Sequence, residues 1–179
     1  MATGLNLRRW LRAARPPEYT VVFVCMGNIC RSPTAHGVFR HRLRQAGLAA
    51  RVGVESAGTS GLHVGERPDA RAIRHAQARG VDLSDLRARG LTAADFARAD
   101  LIVLMDADNE ANARARCPPE HQHKLCRLTV FARRHPGVDE VPDPYYGGPQ
   151  GFEQVLDLVE DACDGLLLHV QQALRPAPG

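Results

Sequence analysis

The sequence predicts an α/β fold, a doubly wound domain built on a parallel sheet. Three observations lead there. Short runs rich in β-branched residues, at Thr20 to Val24, Val52 to Ala57, Asp100 to Asp106 and Leu125 to Leu128, alternate with segments of helical spacing. The first and third runs are continuously apolar, as strands covered on both faces are. The first run also ends in a short loop that opens a helix, an arrangement that gathers backbone N–H groups around an anion.

A chain of 179 residues is most simply one domain, large enough for a substantial core. We set its boundaries at residues 19–175 and read residues 1–18 as a flexible extension. In that extension Leu5, Leu7, Trp10 and Leu11 interleave with Arg8, Arg9, Arg12 and Arg15, and Pro16-Pro17 stops any helix. A disordered leader and a basic amphipathic helix are the two readings, and we favour the leader. A composition 44% hydrophobic and 24% charged fits a soluble globular protein. No apolar run approaches the ~18 residues of a membrane span, so stable membrane insertion is not expected. A net charge of +3 is too mild to point to nucleic acid. Among the 23 basic residues only Lys124 is lysine, a bias we attribute to a GC-rich bacterial genome. Five cysteines, an odd number in a chain this long, suit a reducing, cytoplasmic setting rather than a disulfide scaffold. No zinc pattern is present, and His121-x-His123 between Cys117 and Cys126 reads as a polar surface loop.

Taken in order, Thr20 to Val24 forms the first strand and feeds the loop Cys25-Met26-Gly27-Asn28-Ile29-Cys30-Arg31-Ser32-Pro33. Ser32 is the expected helix N-cap, with Pro33 at the first helical position. The helix runs from Thr34 to Ala46, with Ala35, Val38, Phe39, Leu43 and Ala46 on one face and Gly47 as its stop. Val52 to Ala57 is the second strand and leads into the small-residue turn Ser56-Ala57-Gly58-Thr59-Ser60-Gly61. Ser56 and Thr59 serve there as turn formers or as supports for the anion loop. Pro68 starts a helix that Gly80 stops, and Val81 to Leu91 is a connector. Thr92 caps a helical turn, and Asp106, at the carboxyl end of the third strand, caps the next helix. Phe152 to Leu174 is an amphipathic helix, with Phe152, Val155, Leu158, Val159, Ala162, Leu166, Val170 and Ala173 at helical spacing.

Two stretches carry chemistry. In the loop, a helix N-terminus and the Arg31 guanidinium both favour the thiolate of Cys25, making it a nucleophile at neutral pH. Arg31 offers a bidentate fork to phosphate oxygens. Gly27 is expected to supply permissive dihedrals, Asn28 to tolerate a left-handed conformation and brace the loop, and the Ser32 hydroxyl to donate to the sulfur. Cys30 has two readings, packing under the loop or resolving an oxidised Cys25 as a disulfide. The second stretch is Asp143-Pro144-Tyr145-Tyr146-Gly147. Breaking a phosphate monoester expels an alkoxide or phenolate, and a carboxyl on a proline-stiffened loop can supply the proton. Asp143 is that carboxyl. Its pKa is expected to rise near the thiolate and phosphate charges. Tyr145 and Tyr146 can pack beside an aromatic leaving group.

The two stretches together resemble the low-molecular-weight protein tyrosine phosphatases, over roughly Tyr19 to Leu174. The resemblance implies a three-layer α/β/α fold around a four-stranded parallel sheet, the phosphatase I-like architecture. It implies hydrolysis of phosphotyrosine in proteins through a cysteinyl-phosphate, with Cys25, Arg31 and Asp143 as catalytic residues and neither metal nor cofactor. Met26, Gly27, Asn28, Ile29, Cys30 and Ser32 would bind the phosphate. Leu62, Tyr145 and Tyr146 would line the cleft, Leu62 holding a place where the family often has an aromatic. The family also has Glu at His36, and a His-x-Ala-Arg run where Asp85 stands. Partners implied are phosphotyrosine proteins, with a bacterial tyrosine kinase as one candidate. The same fold allows two alternatives. Thiol-dependent arsenate reductases carry a cysteine where this chain has Asp106, although Cys117 and Cys126 offer a conceivable relay. Phosphoarginine phosphatases tend to have Thr where this chain has Ile29.

Overall fold

The computed structural model describes residues 15–176, so all but residues 15–18 of the basic extension lies outside the described residues. Four strands form one parallel sheet: β1 (Tyr19–Cys25), β2 (Val52–Gly58), β3 (Leu101–Leu104) and β4 (Leu125–Arg127), in the order β2-β1-β3-β4. Among the described residues five α-helices accompany them: α1 (Arg31–Gln45), α2 (Ala70–Ala78), α3 (Ala93–Arg98), α4 (Ala107–Arg116) and α5 (Pro149–Ala173). Short 3₁₀ turns at Pro119–Lys124 and Leu128–Phe131 flank β4. The expected doubly wound, four-stranded parallel sheet is therefore present.

The period-2 geometry of β1 explains why its sequence reads as a continuous apolar run. Val21, Phe23 and Cys25 point into one core with α1, α2 and α5, where Val38, Phe39, Val159 and Leu166 are also buried. Val22 and Val24 point into the opposite core with α3 and α4, alongside Phe96, Ile102 and Ala113. Each face of the sheet is thus sealed by helices, giving three layers. The chain leaves β1 for β2 on one side and returns to β3 on the other. The carboxyl end of β1 is therefore the topological switch point, where open α/β sheets take their ligands.

Both predicted glycine stops are Schellman caps. After α1, Leu48 N–H donates to Leu43 O at 2.8 Å and Gly47 N–H to Arg44 O at 3.1 Å, with Gly47 at φ 71°. Gly80, at φ 77°, closes α2 through Val81 N–H to Ala76 O at 3.0 Å and its own N–H to Gln77 O at 2.9 Å. Helix α2 begins at Ala70 rather than Pro68, because Asp69 is its N-cap and accepts from Arg71 N–H. Ala46 and Ala173, expected on buried faces, are exposed at the ends of their helices.

The largest departure from expectation is at the start of α1. The helix begins at Arg31, its cap position is Cys30, and no side chain caps it. Ser32 is not the N-cap, because its hydroxyl is occupied at the sulfur instead. Gly27 is not in the left-handed region; Asn28 is, at φ 56°. What Gly27 provides is room, since a Cβ there would come within 3.0 Å of His63 Cδ2.

His36 is buried in α1, with Nδ1 3.2 Å from Ser56 Oγ. Burial, aided by the nearby Arg40 and Arg89 charges, pushes its pKa down to about 4 from 6.5. The unfolded chain binds a proton below pH 6.5, whereas the folded chain resists doing so until about pH 4. Stability is therefore fully present above pH 6.5 and is lost as the pH falls towards 4, by about 3 kcal/mol. Urea unfolding of the wild type against His36→Gln should show this slope only in the wild type.

Candidate active site

The loop Met26–Cys30 joins the carboxyl end of β1 to the N-terminus of α1 and is held from below and beside. Thr59 N–H donates to Cys25 O and Ser60 N–H to Met26 O, each at 2.9 Å, so the small-residue turn after β2 supports the loop through its backbone. The close approach needs Gly58, where a Cβ would lie 2.7 Å from Met26 O. Asn28 braces the interior as its residue type suggests. Its Nδ2 donates to Ser32 Oγ at 2.8 Å, and its Oδ1 accepts from Arg89 N–H at 3.0 Å. Arg89 in turn grips the fully buried Asp95, whose carboxylate also accepts from Thr92 N–H at 2.8 Å.

Cys25 Sγ lies 3.0 Å from Ser32 Oγ. Because Asn28 donates to that oxygen, the hydroxyl keeps its own proton, for which the sulfur at 3.0 Å and Ala57 O at 3.4 Å are the acceptors. Arg31 is 3% exposed and held at both ends of its guanidinium. Nη1 donates to Asp106 and, at 3.1 Å, to Val141 O, and Nη2 donates to Asp143 Oδ2 at 3.3 Å. Burial disfavours its charge, but the Asp106 hydrogen bond and the nearby Cys25 and Asp143 outweigh that and raise its pKa. Asp106 divides its two oxygens. Oδ1 caps α4 by accepting from Asn109 N–H at 2.7 Å, and Oδ2 anchors Arg31. The sequence reading found the cap and missed the anchor, for which the only signal was the position of Asp106 at a strand's carboxyl end.

The loop that carries Asp143 is fastened to the sheet where Val141 N–H donates to Met105 O at 2.7 Å. Asp143 Oδ1 accepts from Tyr145 N–H at 3.1 Å. A cleft of about 160 Å³ opens over the sulfur, lined by Cys25, Met26, Gly27, Ile29, Cys30 and Arg31 below and by Asp143, Tyr145, Tyr146, Leu62 and His63 around it. Every predicted lining residue except Asn28 and Ser32 is there, and those two brace the loop from beneath. Leu62 is 82% exposed and forms a lip rather than a wall. Tyr145 and Tyr146 meet edge to face at 4.9 Å between ring centroids. His63, its Nδ1 2.8 Å from Glu66 Oε2, is a lining residue that the sequence reading did not single out, since a lone histidine in a turn carries no pattern. Asp85 stands apart, paired with Arg40.

The other thiols differ from Cys25 in their surroundings. Cys30 packs with Ile29, Ala72, Ala88 and Phe152. Burial, with the Asp69, Cys25 and Asp143 charges, pushes its thiol up to about 12. Cys117 and Cys126 do not line the cleft, and burial pushes Cys126 up to about 12 as well. Among the described residues no group of three His, Cys, Asp or Glu side chains is arranged to hold a metal ion, and no helix is long and apolar enough to cross a membrane.

Comparisons with known proteins agree on one family. The model of the family described as low molecular weight phosphotyrosine protein phosphatase matches residues 20–175. A putative low molecular weight protein-tyrosine-phosphatase of Synechocystis is 45% identical over 155 residues, covering 86% of this chain and 98% of the relative. A low molecular weight protein-tyrosine-phosphatase of Streptomyces coelicolor is 44% identical, covering 88% and 96%. Among solved structures, a protein tyrosine phosphatase of Entamoeba histolytica with Hepes in its active site superposes with a TM-score of 0.84 at 36% identity, covering 87% of this chain and 98% of that one. YfkJ of Bacillus subtilis gives 0.83 at 32%, covering 90% and 99%.

Proposed function

The chain belongs to the low molecular weight phosphotyrosine protein phosphatases, and on that premise we propose that Cys25, Arg31 and Asp143 hydrolyse phosphotyrosine in proteins by two successive displacements at phosphorus. The observation that carries this reading is their convergence on one cleft, with a hydroxyl 3.0 Å from the sulfur and a guanidinium 3.3 Å from the carboxylate.

In the first step the Cys25 thiolate attacks phosphorus in line. An S–P bond forms, the P–O bond to tyrosine breaks, and Asp143 gives its proton to the departing phenolate. In the second, the Asp143 carboxylate takes a proton from water, the water oxygen bonds to phosphorus, and Cys25 leaves as thiolate. Ser32 steadies the sulfur's charge in both steps. The three equatorial oxygens lie against the loop N–H groups from Met26 to Ser32 and the Arg31 fork. A phosphate dianion in the loop competes with Asp143 for Arg31 and adds negative charge beside the carboxyl. The first step needs that carboxyl to carry its proton. These side chains need no metal for either step. A reducing cytoplasm suits such a thiol, and a tyrosine kinase carrying phosphotyrosine is a candidate protein substrate.

Assays with phosphotyrosine and phosphoserine peptides test the proposal. Turnover of the first, and an acid-quenched phosphoprotein that maps to Cys25, are the expected results. Asp143→Asn should lower kcat/KM by about 100-fold on a phenolic ester of high leaving-group pKa and far less on dinitrophenyl phosphate, whose leaving group needs no proton. Phosphoenzyme on another residue, or an Asp143→Asn loss independent of leaving group, would contradict the assignment.

A further inference from the structure

Arg71 lies outside the residues assigned above, yet it stands between the two loops that must act together. Its guanidinium forms a fork with Asp69, Nε donating to Oδ1 at 3.0 Å and Nη2 to Oδ2 at 2.8 Å. The backbone N–H of Asp69 donates to Ile29 O, inside the phosphate loop, at 2.8 Å. The guanidinium carbon of Arg71 sits over the Phe152 ring at 4.8 Å from its centroid and over the Tyr145 ring at 5.5 Å, both within cation–π range. Phe152 is 3% exposed and packs against Ile29 and Cys30, so the base of this stack is the underside of the phosphate loop. At its top, the backbone N–H of Tyr145 donates to the carboxylate of Asp143. His75 stacks parallel to the Phe152 ring at 5.6 Å between centroids.

We propose that Arg71, locked by Asp69 and stacked between Phe152 and Tyr145, is a positioning residue that sets the Asp143 carboxyl over the phosphate loop. The inference rests on the phosphatase reading. It adds a division of labour, in which Arg71 fixes the acid through Tyr145, while the sulfur and the loop N–H groups are held by contacts that do not include its guanidinium. The geometry suits an arginine. A planar guanidinium can present one edge to a carboxylate and both faces to rings, which a lysine ammonium cannot. Misplacing an acid by about 1 Å costs on the order of 100-fold, so an indirect hold on Asp143 has catalytic weight.

The test uses the full-length chain and reads kcat/KM on two esters, phenyl phosphate and 2,4-dinitrophenyl phosphate. Arg71→Ala should lose about 10-fold on phenyl phosphate and less than about 2-fold on the dinitrophenyl ester, the same direction as Asp143→Asn on a smaller scale. Competitive inhibition by inorganic phosphate, which reports the cradle alone, should stay within about 2-fold of wild type. Arg71→Lys, which retains the charge and loses the fork, should fall between wild type and Arg71→Ala. On the Asp143→Asn background, Arg71→Ala should cost nothing more, because the group it positions is already disabled. Equal losses on both esters, a weakened phosphate inhibition, or full additivity with Asp143→Asn would overturn the proposal and leave Arg71 a packing residue. Failure of the underlying phosphatase reading looks different. Wild type itself would turn over neither ester, or Asp143→Asn would show no dependence on leaving group.

Discussion

Cys25→Ser should lose about 10⁴-fold or more of kcat/KM on any phosphate monoester while retaining inorganic phosphate binding. The chemical reason is the attacking atom. Sulfur is intrinsically far more nucleophilic than a hydroxyl oxygen. The structural reason is that the substitution changes little else. The side chain at position 25 is buried at the end of β1, one partner of Ser32 Oγ, and serine is slightly smaller and equally able to hydrogen-bond. Rate and binding should therefore separate cleanly. Stopped-flow turnover with equilibrium titration of phosphate checks both, and residual activity above about one part in 10³ would mean that another residue bears the nucleophilic role.

Arg31→Lys comes next in size, with an expected loss of about 10³-fold. Charge alone does not explain the position. Two carboxylates and a carbonyl hold the guanidinium edge-on, through Asp106, Asp143 and Val141 O. That grip leaves the fork oriented before substrate arrives, so no side-chain freedom is lost on binding. A lysine ammonium can reach one of these acceptors at a time and offers phosphate a point charge. The expected signature is a larger fall in kcat than rise in KM, because the fork matches the equatorial oxygens best when the phosphoryl group flattens in the transition state. Comparable changes in both parameters would mean that Arg31 binds ground state and transition state alike.

Much of this molecule was legible because its local signals and its tertiary demands coincide. The strands were readable from Val21 to Val24 because the sheet is covered on both sides, so nothing broke the apolar run. Gly47 and Gly80 stop their helices because only a residue comfortable at positive φ closes the motif. Cleft residues from Cys25 to Arg31, and Asp143 beyond them, stood out through an unusual order of residue types. What was illegible involves a residue with two claims on it. Ser32 has the look of an N-cap and spends its hydroxyl on sulfur and on Asn28. Asp106 caps a helix with one oxygen and holds Arg31 with the other. Arg71 and Asp69 have no local pattern that sets them apart from other charged residues at the start of a helix. Their meaning comes from Tyr145 and Phe152, more than 70 positions away and invisible to any local window.

The uncapped start of α1 has a consequence for how tightly the whole protein holds together. With Ser32 turned towards sulfur, the backbone donors of Arg31 and Ser32 have no side-chain acceptor among the described residues. An oxyanion seated there finishes the helix, so ligand affinity and conformational stability draw on the same hydrogen bonds. Product release then leaves the first turn of α1 with donors that only solvent can satisfy. The first turn of α1 is therefore complete only with an oxyanion in place.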